Sequence, residues 1–277
     1  MFFADIACAA RIERAECELA RDWSRATTAR RPELDVQAME FAGGVACYAG
    51  PDAPMNKVIG LGFEGVPDEA QLTAVESMYR ERSCPIQIEV ASLADPEVHA
   101  SLTQRGYTLR SFENILGFRL DEASPVAHIE GIEIVLDEPA GLPAWLDTIV
   151  TGFISPDTQG AGGAEDFQRD VLEEIIHDMA SADGFRRYIA RRHGQLAAAG
   201  TMRVAHGVAH MCGASTLPEH RRRGLQTALV SARLADAKAE GAEIAVMTTQ
   251  PGSKSQQNAQ KQGFQLLYTR AVLVKQT

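Results

Sequence analysis

The chain has 277 residues, of which 45% are apolar and 23% charged, as in an ordinary globular protein. At roughly 100–200 residues per domain, this length predicts two domains or one large one. The net charge of -10 argues against a nucleic-acid partner, because such proteins present a basic face. The same charge favours cationic substrates such as amines.

The sequence predicts a cytoplasmic protein without a membrane partner. No apolar run approaches the ~20 residues that a membrane-spanning helix needs. The N-terminus lacks the basic start and long apolar centre of a secretory signal. The five cysteines are odd in number, widely spaced and without a CxxC pair, which predicts reduced thiols and no metal site.

The first half begins with a long predicted helix, Ile6–Arg30, which contains neither Gly nor Pro and repeats apolar residues at helical spacing. Pro32 ends this helix. The later elements predicted for this half are strands near 37–49 and 56–63, a helix capped by Asp68, a strand at 85–90, a helix at 95–105 and a strand at 108–120.

A polar segment with a proline, residues 121–128, is the predicted linker, so we expect domains at 1–124 and 125–277. The alternation of strands and helices on both sides of the linker indicates an α/β or α+β fold. The elements predicted for the second half are strands at 132–136, 187–192, 196–204, 208–217, 243–249 and 264–275, and helices at 142–152, 166–180, 225–240 and 253–262, with a flexible loop at 154–163.

The two halves match each other at a fixed offset. Gly106-Tyr107 recurs as Gly263-Phe264, an offset of 157 residues (263 − 106). The same offset aligns the preceding helix, strand and helix of each half without a gap. This match predicts an internal duplication. The alternative is chance register, because helix–strand–helix–strand order is common.

One short segment carries the chemistry. Arg221–Gly224 lies between a predicted strand and a long Ala-rich helix. A helix N-terminus offers unpaired N–H groups and a positive dipole end, which suit a phosphate or pyrophosphate. Glycine lets the backbone approach such an anion closely. The alternatives are a solvated basic patch, or a contact to RNA or an acidic partner.

The segment STLPEHRRRGLQTALVSARLADAKAEGAE resembles the signature motif of the GNAT acetyltransferase superfamily. In that motif a strand, an Arg/Gln-x-x-Gly-x-Gly/Ala loop and a helix bind the pyrophosphate of CoA. Arg221 falls on the first position and Gly224 on the central glycine, whereas Gln226 departs from the small residue that the family prefers. Asn258 and Gly263-Phe264 follow in the order of a GNAT domain, so the resemblance covers roughly residues 131–277.

This resemblance implies tandem GNAT-like domains, each a mixed, mostly antiparallel twisted sheet flanked by helices. It also implies acetyl-CoA as cosubstrate and no metal. For Asn258 two roles are equally compatible with the sequence: a contact to the cofactor, or a cap on the local backbone. The cofactor-binding residues that the resemblance implies are Ser215, Thr216, Leu217, Arg222, Arg223, Gly224, Leu225, Gln226, Thr227 and Asn258.

The first half lacks this signature. The duplication pairs Gly224 with Pro67, which has no N–H to donate and is followed by Asp68-Glu69. Acidic residues at this place repel a pyrophosphate. We therefore expect a degenerate N-terminal copy that packs against the active one.

Catalytic residues are harder to infer. GNAT chemistry is direct attack of an amine on a thioester, which needs a base and sometimes an acid for the leaving thiolate. Ala259 stands where many members have a tyrosine, and Tyr268 in the next strand is a substitute only if the fold brings it close. The base candidates are Glu219, His210 and His206, each with a packed or solvated role as its alternative.

The sequence thus predicts an N-acetyltransferase that moves an acetyl group from acetyl-CoA to a primary amine of a small molecule or peptide. The alternative is a non-catalytic acyl-CoA-binding or regulatory module. The acceptor and the acyl chain length stay open, and a homodimer is compatible with the sequence.

Overall fold

A computed structural model describes residues 2–122, 129–155 and 168–276. The helices and strands up to the predicted linker are α1 (Ile6–Arg30), β1 (Gln37–Phe41), β2 (Gly44–Tyr48), β3 (Lys57–Ile59), α2 (Glu69–Arg80), β4 (Ile86–Ala91), α3 (Pro96–Gln104) and β5 (Thr108–Arg119). Those that follow are β6 (Ile132–Leu136), α4 (Leu142–Ile154), α5 (Arg169–Ser181), β7 (Phe185–Arg192), β8 (Gln195–Ala205), β9 (Val208–His210), β10 (Ala214–Thr216), α6 (Leu225–Ala239), β11 (Ile244–Thr249), α7 (Lys254–Lys261) and β12 (Gln265–Lys275).

The chain divides into two compact units, and the division differs from the predicted one. The first unit comprises residues up to 115 together with those from 266 onward, and the second comprises the described part of 116–265. The expected boundary after residue 124 lies outside the described residues. The last strand, expected in the second domain, belongs to the first unit because β12 pairs antiparallel with β4 from Arg270↔Ala91 to Lys275↔Ile86.

The first unit is a sheet in the order β1-β2-β3-β4-β12-β5. The pair β3–β4 is parallel, while β1–β2, β2–β3 and β4–β12 are antiparallel. Helix α1 begins at Asp5, whose carboxylate accepts from the Cys8 N–H at 2.7 Å, an ordinary N-cap. Its apolar side packs on the sheet around the buried Cys17, Val45 and Ile59.

The second unit has the strand order β11-β9-β8-β7-β6, with β10 paired to β8. Only β9–β11 is parallel among its described pairs. The core lies between this sheet and α6, where Leu225, Leu229 and Ala237 are buried. On α4 the fully buried Trp145 donates its indole N–H to the Gly200 carbonyl.

Two predicted strands are interrupted. The stretch 37–49 contains a turn at Ala42-Gly43, where both residues have positive φ, so it forms the hairpin β1–β2. The stretch 208–217 is divided into β9 and β10 by residues 211–213. Neither break is predicted from the sequence.

The duplication offset agrees with the observed elements. Shifting α2 by 157 residues places it inside α6, and the same shift carries β4 onto β11, α3 onto α7 and β5 onto β12 with ends differing by a residue or so. Among the described residues, no helix has the length and apolarity needed to cross a membrane.

Candidate functional site

A β-bulge in the second unit separates two strands that begin as neighbours. Strand β9 runs parallel to β11 as far as Val246↔His210, and the Met211 N–H still donates to the Val246 carbonyl at 2.9 Å. The next residues turn towards β8, because the Thr201 N–H donates to the carbonyls of Cys212 and Gly213. Strand β10 then pairs with β8, so a gap opens between β10 and the end of β11.

A cavity of about 740 Å³ occupies this gap and continues along the start of α6; we call it the α6 cavity. Its walls come from the bulge, β10, the loop before α6, the end of β11 and one side of α7. Its volume lies in the range of small-molecule sites.

The N-terminus of α6 faces this cavity without a side-chain cap. Gly224 is the N-cap residue, with φ of +86°, and no side chain accepts from the first turn. This left-handed backbone suits glycine, and a Cβ here would lie 2.8 Å from Ile129 Cδ1. An uncapped helix start at a cavity is suited to an anionic ligand, since its N–H groups need an acceptor.

Arg221, at the first position of the motif, holds the loop in place. Its guanidinium donates to the backbone carbonyls of Thr216 and Gly152 at 3.2 and 3.4 Å, and to that of Ser155. These bonds tie the loop before α6 to the end of α4. The role of this side chain is therefore to shape the binding loop.

The charged lining of the α6 cavity is basic. Among the described residues that line it, none is Asp or Glu, although the whole chain has a net charge of -10. The charged side chains of the lining are those of Arg221, Arg222, Arg233, Lys254 and Lys261. Such a local excess of positive charge favours phosphate groups.

Eight of the ten predicted cofactor residues line the α6 cavity. The two others are Leu217, at the end of β10, and Arg223, which is exposed to solvent. Gln226, at the position where the motif departs from the family, donates its side-chain amide to Thr216 Oγ1 at 3.1 Å. The Ser215 hydroxyl donates to the Thr148 carbonyl at 3.0 Å, so that side chain is directed towards α4.

The predicted catalytic residues lie elsewhere. Glu219 is exposed in a 3-10 turn, His206 is exposed in the β8–β9 turn, and His210 is buried on β9; none of the three lines the cavity. Tyr268 is on β12 and belongs to the first unit, where its hydroxyl donates to Glu13 at 2.6 Å. Burial and this carboxylate raise the pKa of Tyr268 well above its ordinary value.

Sequence reasoning missed several residues of the cavity. His220 lines it, and its Nδ1 is buried without a hydrogen bond. Lys254 and Lys261 lie one helix further along the chain, on α7, and Arg233 lies two turns into α6. Helical spacing was the signal that could have found them. Lys261 follows Lys254 by seven residues and Arg233 follows Leu225 by eight, so each pair lies on one face of its helix.

The equivalent place in the first unit is closed. The carboxylate of Asp68 accepts from the Gln71 N–H at 2.8 Å, and the Gln71 amide oxygen accepts from the Asp68 N–H. The helix α2 therefore has its own anion at its N-terminus. The gap beyond β3 and β4 is closed as well, because the Asp95 N–H donates to the Gly62 carbonyl at 2.9 Å.

The second unit has the architecture of a GNAT domain: a bulged strand that diverges from its parallel neighbour, followed by an uncapped, glycine-led helix. Its donor groups fit CoA, whose pyrophosphate needs N–H donors and whose pantetheine needs a free strand edge. In agreement, residues 149–264 match the sequence model of the acetyltransferase (GNAT) family. This part of the chain is a GNAT-family domain.

Solved structures show the same fold over nearly the whole chain. A GCN5-related N-acetyltransferase from Kribbella flavida is 17% identical, with 92% of this chain and 95% of that chain aligned at a TM-score of 0.64. A tandem GNAT protein from the clavulanic acid biosynthesis pathway is 12% identical over 93% and 94% of the two chains, with a TM-score of 0.58. No curated protein matches the sequence. The chain thus has the fold of a tandem GNAT protein.

Proposed function

We propose that the second unit binds acetyl-CoA in the α6 cavity and transfers its acetyl group to a primary amine. The observation that carries the proposal is the uncapped start of α6, which faces a cavity with a basic lining. The family match of residues 149–264 supports the acyl-transfer chemistry.

In this proposal the backbone N–H groups from Arg222 to Thr227 hold the pyrophosphate. Helix N-termini bind such anions through aligned N–H donors and the helix dipole. Lys254 and Lys261 on α7 add positive charge to the lining of the cavity. The pantetheine arm lies along one edge of β10. The other edge of β10 pairs with β8, the one strand partner of β10 among the described residues.

The transfer is a direct displacement. The amine nitrogen attacks the thioester carbonyl carbon, the new C–N bond forms, and the C–S bond breaks as the thiolate of CoA departs. The ammonium proton passes to a base, directly or through water, and the thiolate takes a proton from solvent, because Ala259 offers none. We propose His220 as the base, since it lines the cavity and a neutral imidazole can accept a proton.

The test is calorimetric titration of acetyl-CoA into the wild type and Gly224→Glu. The variant adds a carboxylate where the pyrophosphate is expected, so affinity should fall at least about 100-fold, or roughly 2.7 kcal/mol. Gly194→Glu is the matched control, because Gly194 also has positive φ (+79°) but open space around it and no place in the cavity. Equal affinity of wild type and Gly224→Glu would contradict the proposed site.

A second candidate is a module that binds acyl-CoA without transferring the group. The absence of acidic residues from the described lining and the alanine at position 259 favour it. Release of free CoA thiol in a screen of primary amines separates the two. Binding without amine-dependent thiol release would favour the non-catalytic module.

A further inference from the structure

Arg233 is a buried arginine in the wall of the α6 cavity. Its side chain is 1% exposed, and it lies on the face of α6 that lines the cavity. The guanidinium donates through Nε to the Leu229 carbonyl at 3.2 Å and through Nη1 to the Thr201 carbonyl at 2.9 Å. A guanidinium has five N–H donors, so these two bonds leave three for a ligand.

No carboxylate among the described residues forms an ion pair with Arg233. The contrast within the chain is Arg270, which is equally buried but lies 2.8 Å from a Glu13 oxygen and 3.6 Å from a Glu89 oxygen. A buried charge without a counter-ion destabilises the folded state. Burial lowers the pKa of Arg233 to about 10, so the side chain still carries its charge at neutral pH.

The surroundings of Arg233 make room for the guanidinium at the bulge. A Cβ at Gly200 would lie 3.5 Å from both Cζ and Nη1 of Arg233, so glycine leaves the space next to the side chain open. A Cβ at Gly200 would also lie 3.3 Å from the Ala214 Cβ on β10. The guanidinium of Arg233 therefore lies close to β10, the strand along which the pantetheine arm of CoA is proposed to lie.

We propose that Arg233 binds a carboxylate of the substrate, so that the enzyme uses a carboxylate-bearing acyl donor or acceptor. The inference rests on the proposed function, since it assigns a specificity to the same cavity. A ligand carboxylate supplies the missing counter-charge, and the planar guanidinium pairs with it through two parallel hydrogen bonds. The carboxylate belongs either to a dicarboxylic acyl group on CoA or to an amino-acid acceptor.

The first arm of the test measures donors. Calorimetry compares CoA, acetyl-CoA and succinyl-CoA with the wild type, Arg233→Met and Arg203→Met. Arg203 is the matched control because it is also buried in the second unit, donates to the Asp183 carbonyl and lies outside the cavity lining. If the carboxylate is on the donor, succinyl-CoA binds at least tenfold more tightly than acetyl-CoA, and Arg233→Met alone removes the difference.

The second arm measures acceptors with acetyl-CoA as donor. It compares an amino acid with the amine that lacks its carboxylate, for example phenylalanine with phenethylamine, by thiol release. If the carboxylate is on the acceptor, kcat/KM is at least tenfold higher for the amino acid, and Arg233→Met removes this preference. Arg233→Lys, which keeps the charge but not the planar fork, retains part of it.

The outcomes separate the inference from the proposed function. If CoA does not bind to folded wild type, the proposed function and this inference both fail. If CoA binds but neither arm shows a carboxylate preference that depends on Arg233, the inference alone is overturned. Thermal unfolding checks the variant, and we expect Arg233→Met to be as stable as the wild type, because a methionine removes an unpaired buried charge.

Discussion

His220 and Arg221 are adjacent in the loop before α6 but have different roles. Arg221 donates to three backbone carbonyls and fixes the loop before α6. His220 lines the cavity with a buried Nδ1 that makes no hydrogen bond. The motif includes Arg221 but not His220, and only the side-chain geometry shows that Arg221 is structural and that His220 reaches the cavity.

His220→Gln tests the base. Loss of a general base lowers kcat/KM by about 10²–10⁴-fold. His206→Gln is the control, because His206 is exposed in the β8–β9 turn. Steady-state kinetics measure kcat/KM of both variants, and an unchanged kcat/KM for His220→Gln would mean that another group takes the proton.

Glu113 in the first unit makes stability depend on pH. Burial, together with the charge of Glu89, raises its pKa to about 7, despite the nearby Lys57 and Arg270. Between the unfolded pKa of about 4.3 and 7, the folded state holds a proton that the unfolded state has lost. The contribution of Glu113 therefore falls as pH rises through this window, by up to about 1.4 kcal/mol per pH unit.

Urea unfolding of the wild type and Glu113→Gln at pH 5.5 and 7.5 checks this direction. The glutamine has no proton to lose, so the variant should gain stability relative to the wild type at the higher pH. A stability difference that is the same at both pH values would show that Glu113 does not titrate in this range.

At the scale of elements, the duplicated helices α2 and α6 begin in opposite ways. Helix α6 starts with a glycine and has no cap, whereas α2 starts with the reciprocal bonds of Asp68 and Gln71. A helix start that already holds a carboxylate has one N–H group fewer to offer, and its negative charge repels a pyrophosphate. The same element thus serves as a binding site in one unit and as a closed structural end in the other.

This difference predicts one acetyl-CoA per chain. Asp68→Ala should cost about 1 kcal/mol of stability through the lost cap and leave the stoichiometry at one, because the Gly62–Asp95 hydrogen bond still closes the gap. Calorimetric stoichiometry and urea unfolding measure the two effects. Binding of a second acetyl-CoA by Asp68→Ala would show that the cap alone blocks the first unit.

At the scale of the whole molecule, the chain enters the second unit near the end of β5 and returns to the first unit through β12. The returning strand brings Arg270 and Tyr268 to the buried Glu13 of α1. Removing this strand leaves a buried carboxylate without its partners, which typically costs 3–5 kcal/mol.

A chain that ends at Gln265 should therefore lose the first unit. Amide hydrogen exchange of β2 checks this prediction. Because β2 does not pair with β12, its amides lose protection only if the unit unfolds, and not merely because the hydrogen bonds to β12 are gone. The control is a chain that ends at Lys275 and keeps β12 whole. Slow exchange of β2 in the shorter chain would show that the first unit folds without β12.

The local signals of the sequence predict nearly all the elements. The run without Gly or Pro predicts α1 to its last residue, and Asp68 marks the helix start that it caps. The bulge at residues 211–213 is not predictable in this way, because it depends on bonds from Thr201 on another strand. The same holds for Arg233, whose position in the cavity depends on Gly200 and the bulge.

The sequence alone determines the tandem GNAT-like fold, the order of its elements and the loop at Gly224, because periodicity, caps and the motif are local properties. The tertiary structure decides which side chains line the cavity and to which unit β12 belongs. Strand β12 follows the second unit in the chain but pairs with β4 of the first unit. The choice of β4 is made by the packing of Arg270 and Tyr268 against Glu13, a contact between residues more than 250 positions apart.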